Sequence, residues 1–374
     1  MRWDSLRLSA EAGCSQPAGQ QAALFDRAMV SRTFDTPGFR GITFHEVHAR
    51  TIISKVPQAS RVPFQWTINP YRGCSHACVY CFARKTHTYL DLDAGHDFDT
   101  QIVVKVNAPD LLRRELRAAR WHGEHIAMGT NVDCYQRAEG KYQLMPGIIS
   151  ALTEAANPFS ILTKGTLVLR DLDLLTRAAS VTEVGLNVSA GIVDKSLSRS
   201  IEPGAPSPDR RLAVCAAFGE RGLRCGVLMG PVVPYLSDSP GQLEDAVRKI
   251  ASAGAVHVTP IVLHLRPGAR EWFQRWLQRT HPELTGAYRE LYGNRAYAPA
   301  SYQRQISEQV AALARKHGVG RTTPAGARRV PPAESRRDTA AGAHRAGGGR
   351  WPAGLGPAEP EQPPAAAGEQ LSLL

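Results

Sequence analysis

No run of about 18 consecutive apolar residues occurs in this 374-residue chain, so the sequence offers no candidate membrane-spanning helix. Its first residues, MRWDSLRLSAEAG, lack the charged-then-apolar order of a secretory signal, and the expectation is a cytoplasmic protein. Cysteine is sparse: there are seven, an odd number, and three of them share one short segment. That distribution does not read as a disulfide framework and fits a reducing compartment. Acidic residues are in deficit, 34 against 45 Lys and Arg, for a formal net charge of +11. Seven arginines from Arg321 to Arg350 face Glu334 and Asp338, so this stretch supplies +5 of that total. The balance suits a nucleic-acid partner, and equally an Arg-rich protein from a GC-rich genome.

What is present centres on Asn69–Arg84, NPYRGCSHACVYCFAR. Cys74, Cys78 and Cys81 lie within eight residues in a C-x3-C-x2-C spacing, a loop tight enough to gather three thiolates. A structural zinc site takes four protein ligands, commonly as two separated pairs. A four-iron cluster is normally held by four thiolates. Three ligands leave one iron with a vacant coordination position, which is how a metal centre binds a substrate. His76, between the first two cysteines, would close that position as a fourth ligand, so the reading is that it is exposed.

The rest of the chain alternates. PFQWTIN (63–69) reads as a strand leading into the cysteine loop, and VHARTIISKV (47–56) as a strand before it. Short apolar runs follow at Gln101–Val106, Ile126–Gly129, Phe159–Thr163, Val184–Ser189, Cys225–Pro231 and Val256–Leu265. Helical periodicity separates most of them, at Ala108–Ala119, Met145–Ala156, Leu169–Ala179, Asp209–Glu220 and Gln242–Ala253. Ser207-Pro208 and Ser239-Pro240 mark helix starts, and Gly222 and Gly254 mark helix ends. Such alternation builds a parallel α/β sheet, as a doubly wound sheet or as a barrel, with its chemistry at the strand C-termini. Residues 1–35 form a mixed extension in which Cys14 is unligated, and 267–318 a helical cap. Residues 319–374, mostly Ala, Gly, Pro and Arg, are expected to be disordered.

The cysteine spacing, with Tyr80 just before the last cysteine, resembles the radical S-adenosylmethionine (SAM) enzymes, and the whole segment resembles their spore photoproduct lyase-like branch. The resemblance covers about residues 35–318. It implies a partial (β/α)6 TIM-type barrel over 36–266 and a [4Fe-4S] cluster on Cys74, Cys78 and Cys81. It also implies SAM bound at the open iron, cleaved after one-electron reduction to a 5′-deoxyadenosyl radical that takes hydrogen from a substrate. A reductant such as flavodoxin or ferredoxin would then be a partner.

By the same resemblance Met128–Gln136 lies over SAM. Gly129 would admit close approach, Thr130 and Asn131 would bond the methionyl amine or the ribose, and Asp133 would take a cationic or hydroxyl partner. Lys164 and Ser189 would meet the carboxylate or ribose, and Tyr80 the adenine. Glu202–Pro206 with Arg210 and Arg211 reads as a loop and helix start over the site, the arginines reaching a phosphate or SAM. Cys134, in the strand-end segment, is a candidate hydrogen donor to a product radical. Cys215 and Cys225 read as buried structural thiols. His264 and Arg266 face the mouth, and Trp272, Phe273 and Trp276 form a stripe that serves as core or as a base-stacking platform. The last residues, Gln370–Leu374, resemble peptides that dock into a bacterial sliding clamp. Three functions stay open: radical chemistry on a nucleic-acid base, radical modification of a protein or small metabolite, or a non-enzymatic metal-binding protein that holds nucleic acid.

Overall fold

The computed structural model describes residues 29–57 and 62–321. Cys14, nearly all of the N-terminal extension, the tail beyond Arg321 and the Gln370–Leu374 peptide lie outside these residues.

In chain order the strands are β1 (Met29–Thr33), β2 (Thr43–Val47), β3 (Ile53–Lys55), β4 (Trp66–Ile68), β5 (Tyr71–Arg72), β6 (Gln101–Lys105), β7 (Ile126–Met128), β8 (Phe159–Thr163), β9 (Val184–Ser189), β10 (Cys225–Val232), β11 (His257–Val262) and β12 (Gly320–Arg321). The main sheet runs β12-β11-β10-β9-β8-β7-β4-β3. Within it β4, β7, β8, β9, β10 and β11 are all parallel. Helices Leu144–Glu154, Leu172–Val181, Pro208–Glu220 and Pro240–Ser252 lie in the successive crossovers from β7 to β11, as parallel pairing requires. Every residue of β9 is buried, the pattern of a strand covered on both faces.

Laid flat, five strand spacings would part β4 from β11 by about 24 Å. Instead the segment after β4 packs against the end of β11. Val79 shares a core cluster with Leu263 and Leu265, and the Phe82 and His264 rings lie 5.7 Å apart. The six parallel strands form the expected partial (β/α)6 arrangement, with the cysteine loop at the C-terminal end of β4.

Three details differ from the sequence reading. The 47–56 stretch is not one strand: β2 ends at Val47 and β3 starts at Ile53, in different sheets. Between them Asn107 holds the backbone of Ala49 through both its amide atoms at 2.9 Å. Gln101–Lys105 leaves the barrel, joining β1, β2 and β5 in a second sheet of order β1-β2-β6-β5. Alternation in sequence reports burial, not which sheet a strand joins. The chain also stays ordered past Gly318, because Gly320–Arg321 pairs in parallel with His257–Val258.

Pro208 and Pro240 occupy first-turn positions of their helices, where a missing N–H costs nothing, and Ser239 completes a capping box with Gln242. The cap comprises Ala269–Thr280, Thr285–Tyr292 and Ala300–Lys316. Phe273 and Trp276 are buried with Tyr288 and Tyr292 in the cluster that contains Val79 and Ile201. The aromatic stripe is therefore core, not an open platform. Cys215 and Cys225 are buried as expected. No helix among the described residues is long and apolar enough to cross a membrane.

Candidate active site

The cysteine loop is closed by its own backbone and by buried side chains. Cys74 N–H donates to the Phe98 carbonyl at 3.0 Å, Ala77 N–H to Cys74 at 3.1 Å, and Cys81 N–H to Cys78 at 3.2 Å. Arg84, three residues past the last cysteine, has no exposed surface. Its Nε donates to the Cys78 carbonyl at 3.0 Å and one terminal nitrogen to the Gly95 carbonyl at 2.7 Å. The other reaches both Asp99 oxygens, at 2.8 and 3.0 Å. The guanidinium lies between the Phe98 and Trp272 rings, 5.2 and 5.1 Å from their centroids. Charged side chains are seldom this buried unless paired, and this one staples the loop.

The turn after β7 lies against that loop. Gly129 has φ +73°, and a Cβ there would come within 1.8 Å of the Leu162 carbonyl oxygen, so the close passage of β7 and β8 requires glycine. Thr130 Oγ1 meets Thr67 Oγ1 at 2.8 Å, and Asn131 sits half-buried on the same turn. Gln136, fully buried, accepts from Ser75 N at 2.9 Å and donates to the Gly73 carbonyl at 2.8 Å. Asp133 is committed to protein donors: Tyr135 N at 2.9 Å, Thr163 Oγ1 at 2.6 Å, Lys164 N at 2.6 Å, and His76 Nδ1 at 3.4 Å. Burial opposes its ionisation, but His76 and the hydrogen bonds from Lys164 N and Thr163 outweigh that and hold its carboxyl well below the usual range. The structure thus corrects one expectation: His76 is buried, at 3% exposure, beside Asp133 at 3.4 Å. Asp133 has the hydroxyl partner expected of it in Thr163.

A second brace comes from the Glu202 loop. Val79 N–H donates to Ile201 and Gly204 N–H to His76, both at 3.0 Å, so this loop lies across the cysteine loop as expected. Glu202, 2% exposed, pairs with Arg211 at 2.5 Å and Lys164 at 3.8 Å, and accepts from the Tyr80 hydroxyl. Lys164 lies 5.8 Å from the Tyr80 ring centroid. Arg211 is buried in this pair and donates to the Pro206 carbonyl at 2.7 Å, so it is not a free phosphate contact, whereas Arg210 is exposed. Ser189, at the end of β9, donates through its Oγ to the Gly230 carbonyl at 3.1 Å.

The three cysteines are free thiols, Cys74 and Cys78 buried and Cys81 half-buried. Burial pushes Cys78 up to about 12, Lys164 opposing and Glu202 and Cys81 adding. Burial raises Cys74 as well, with Asp133, Cys78 and Cys81 adding to it, and raises Cys81 against the pull of Arg84. Each therefore holds a proton that a metal must displace, with Lys164 and Arg84 placed to favour the thiolates. Among the described residues no three such side chains converge on a single ion. Three thiols on one short loop supply three of the four thiolates a four-iron cluster normally takes, where a structural zinc ion takes four protein ligands.

Cys134 is fully buried in the main core cluster, which also holds Cys74, and it lies near Asp133 and Cys74. His264 and Arg266 do sit beside the cysteine loop, packed on Phe82. Sequence reasoning quoted Gln136, Glu202 and Arg211 without finding their bracing roles, and passed over Arg84 and Phe82. Gln136 meets Ser75 and Phe82 meets His264 across long stretches of chain, and the nearer partners of Arg84, Glu202 and Arg211 follow no motif spacing.

The radical SAM superfamily model matches residues 68–250, the span from β4 to the helix before β11. A Mycobacterium tuberculosis protein (Uncharacterized protein Rv2578c) is 52% identical over 286 residues, covering 76% of this chain and 84% of that one. A Methanocaldococcus jannaschii protein (Uncharacterized protein MJ0683) is 32% identical over 185 residues, 50% of this chain and 65% of that one. Among solved structures, spore photoproduct lyase complexed with dinucleoside spore photoproduct superposes with a TM-score of 0.56 at 16% identity, over 75% of this chain and 81% of that one. A double mutant of the lyase with bound AdoMet and dinucleoside spore photoproduct gives 0.56 at 15% identity, over 71% and 78%; the likeness is one of fold. Core, cysteine loop and relatives agree, and the chain belongs to the radical SAM superfamily of enzymes.

Proposed function

We propose that this protein is a radical SAM enzyme that takes hydrogen from a nucleic-acid base, with Cys74, Cys78 and Cys81 as the ligands of a [4Fe-4S] cluster. When bound, the cluster supplies one electron and an open iron for SAM, whose sulfonium–carbon bond is then cleaved. The observation that carries the reading is the double bracing of the cysteine loop. Gln136 and the Asp133–His76 pair tie it to the end of β7, and Glu202, which accepts from Tyr80, ties it to Lys164 at the end of β8 and to Arg211, which donates to Ser189 at the end of β9. Such bracing fixes the reacting partners relative to one another, which is what this chemistry asks of a protein.

Lys164, 16% exposed, carries a pKa raised from its ordinary value. Burial opposes its charge, but Cys78 and Glu202 outweigh burial. It stays cationic and suits a carboxylate such as that of SAM. Tyr80 flanks the same space, and Gly129, Thr130 and Asn131 line the strand end beside it. The net charge of +11 and the fold shared with spore photoproduct lyase favour nucleic acid over a metabolite. A flavodoxin or ferredoxin would supply the electron.

The test is isotopic. DNA deuterated at base and methyl positions is incubated anaerobically with reconstituted enzyme, SAM and reductant. The proposal expects deuterium in 5′-deoxyadenosine. Deuterium-free 5′-deoxyadenosine with DNA, alongside label transfer from a peptide or metabolite, would overturn the nucleic-acid substrate while leaving the radical enzyme intact.

A further inference from the structure

Four side chains bridge the open side of the barrel, and the account above gives them no task. Phe82 directly follows the last cysteine and is 36% exposed, unusually high for a phenylalanine here. Its ring meets His264, just past β11, at 5.7 Å, and His264 meets Tyr297 of the cap at 5.6 Å. The Arg266 guanidinium lies 5.6 Å from the Phe82 centroid and 5.9 Å from that of Tyr297, and donates to the Tyr297 hydroxyl at 2.7 Å. Antiparallel bridging of His264 with Tyr297, and a Leu265 N–H to Ala296 carbonyl bond of 2.7 Å, fix the backbone beneath them. Three segments far apart in sequence thus place aromatic rings and one cation beside Cys81.

We propose that Phe82, His264, Arg266 and Tyr297 form the platform on which a DNA strand docks, a base stacking on the rings while Arg266 takes its phosphate. The inference rests on the nucleic-acid reading above and deepens it. Aromatic faces accept any base, and Arg suits a phosphate by charge and by its planar fork. Among the described residues Arg266 meets the Tyr297 hydroxyl and the Phe82 and Tyr297 rings, and its planar fork suits a phosphate. Burial and the neighbouring Arg266 hold His264 down to about 4, so its ring is neutral at pH 7 and stacks without repelling the guanidinium. The platform adjoins the cysteine loop, so a base resting there lies beside the radical chemistry rather than remote from it.

The experiment is anaerobic binding of a fluorescent single-stranded DNA oligonucleotide to the reconstituted holoenzyme at several salt concentrations. Wild type is compared with Phe82→Ala and Arg266→Gln, each first matched to wild type in iron content and circular dichroism. Phe82→Ala is expected to weaken binding about ten-fold. Arg266→Gln is expected to weaken it and to reduce the salt dependence by about one phosphate contact. Tyr297→Phe, which removes only the hydroxyl that holds Arg266, should weaken binding less than either. Wild type that binds while Phe82→Ala and Arg266→Gln bind equally well overturns the platform alone. Wild type that does not bind DNA overturns the nucleic-acid reading together with it. An RNA strand of the same sequence held more tightly overturns the assignment to DNA.

Discussion

Gln136 accepts the Ser75 backbone N–H at 2.9 Å, so one side chain with no exposed surface couples the strand end after β7 to the cysteine loop. The same amide donates to the Gly73 carbonyl at 2.8 Å. Gln136→Ala leaves both groups buried and unpaired, at about 1–3 kcal/mol each. Thermal unfolding should show a clear fall in Tm, and the reconstituted variant should retain less iron than wild type. A Tm equal to that of wild type would show that water or a rearranged loop replaces the brace.

The Glu202 network makes a separate prediction. Glu202 is buried against Arg211 and Lys164, and its carboxyl is held below its usual range. Burial opposes ionisation, but Arg211 and Lys164 outweigh it. Glu202→Gln strands two buried cations and should destabilise the fold by about 3–5 kcal/mol. The double variant Glu202→Gln/Arg211→Met should recover part of that loss. Denaturant unfolding of the four proteins gives the coupling directly, and additive losses would contradict the pairing.

His87 carries a pH dependence. It is fully buried, its Nε2–H donates to the Gln101 carbonyl at 2.8 Å, and burial lowers its pKa from 6.5 to about 4, the Gln101 bond opposing. Between these values the unfolded chain binds a proton that the native state refuses. The stabilisation is thus complete above about pH 6.5 and is lost as pH falls toward 4, to the extent of about 3 kcal/mol. His87→Phe should flatten the stability–pH curve in that window, and an unchanged slope would contradict the assignment.

How much of this was legible beforehand follows from where the information sits. Cys74, Cys78 and Cys81 are neighbours in sequence, so their spacing alone singled out the loop and the superfamily it resembles, and the period of the β7–β11 repeats displayed the parallel sheet. His76 was misread as exposed because its partner Asp133 lies on another strand end, and only folding brings the two to 3.4 Å. Nothing in the sequence marked Arg84, which Asp99, Phe98 and Trp272 enclose in the folded chain. Composition gave no hint that Gln101–Lys105 leaves the barrel sheet.

Gly129→Ala tests the close passage of β7 and β8. The new methyl would fall 1.8 Å from the Leu162 carbonyl oxygen at a φ of +73°, a cost on the order of 2 kcal/mol or more. Lower stability and weaker SAM binding by calorimetry are the expected results. Cys134→Ala, by contrast, should keep its iron and its SAM cleavage and lose about 1 kcal/mol of stability. Loss of cleavage in that variant, with iron retained, would restore Cys134 to the chemistry.

The central claim is the cluster on Cys74, Cys78 and Cys81, and the most direct measurement is anaerobic reconstitution with iron and sulfide, reduction in the presence of SAM, and assay of 5′-deoxyadenosine. Wild type should hold about four irons and form the nucleoside, and Cys78→Ala should form none. A wild-type protein that binds a single zinc, assembles no cluster and leaves SAM intact would contradict the account.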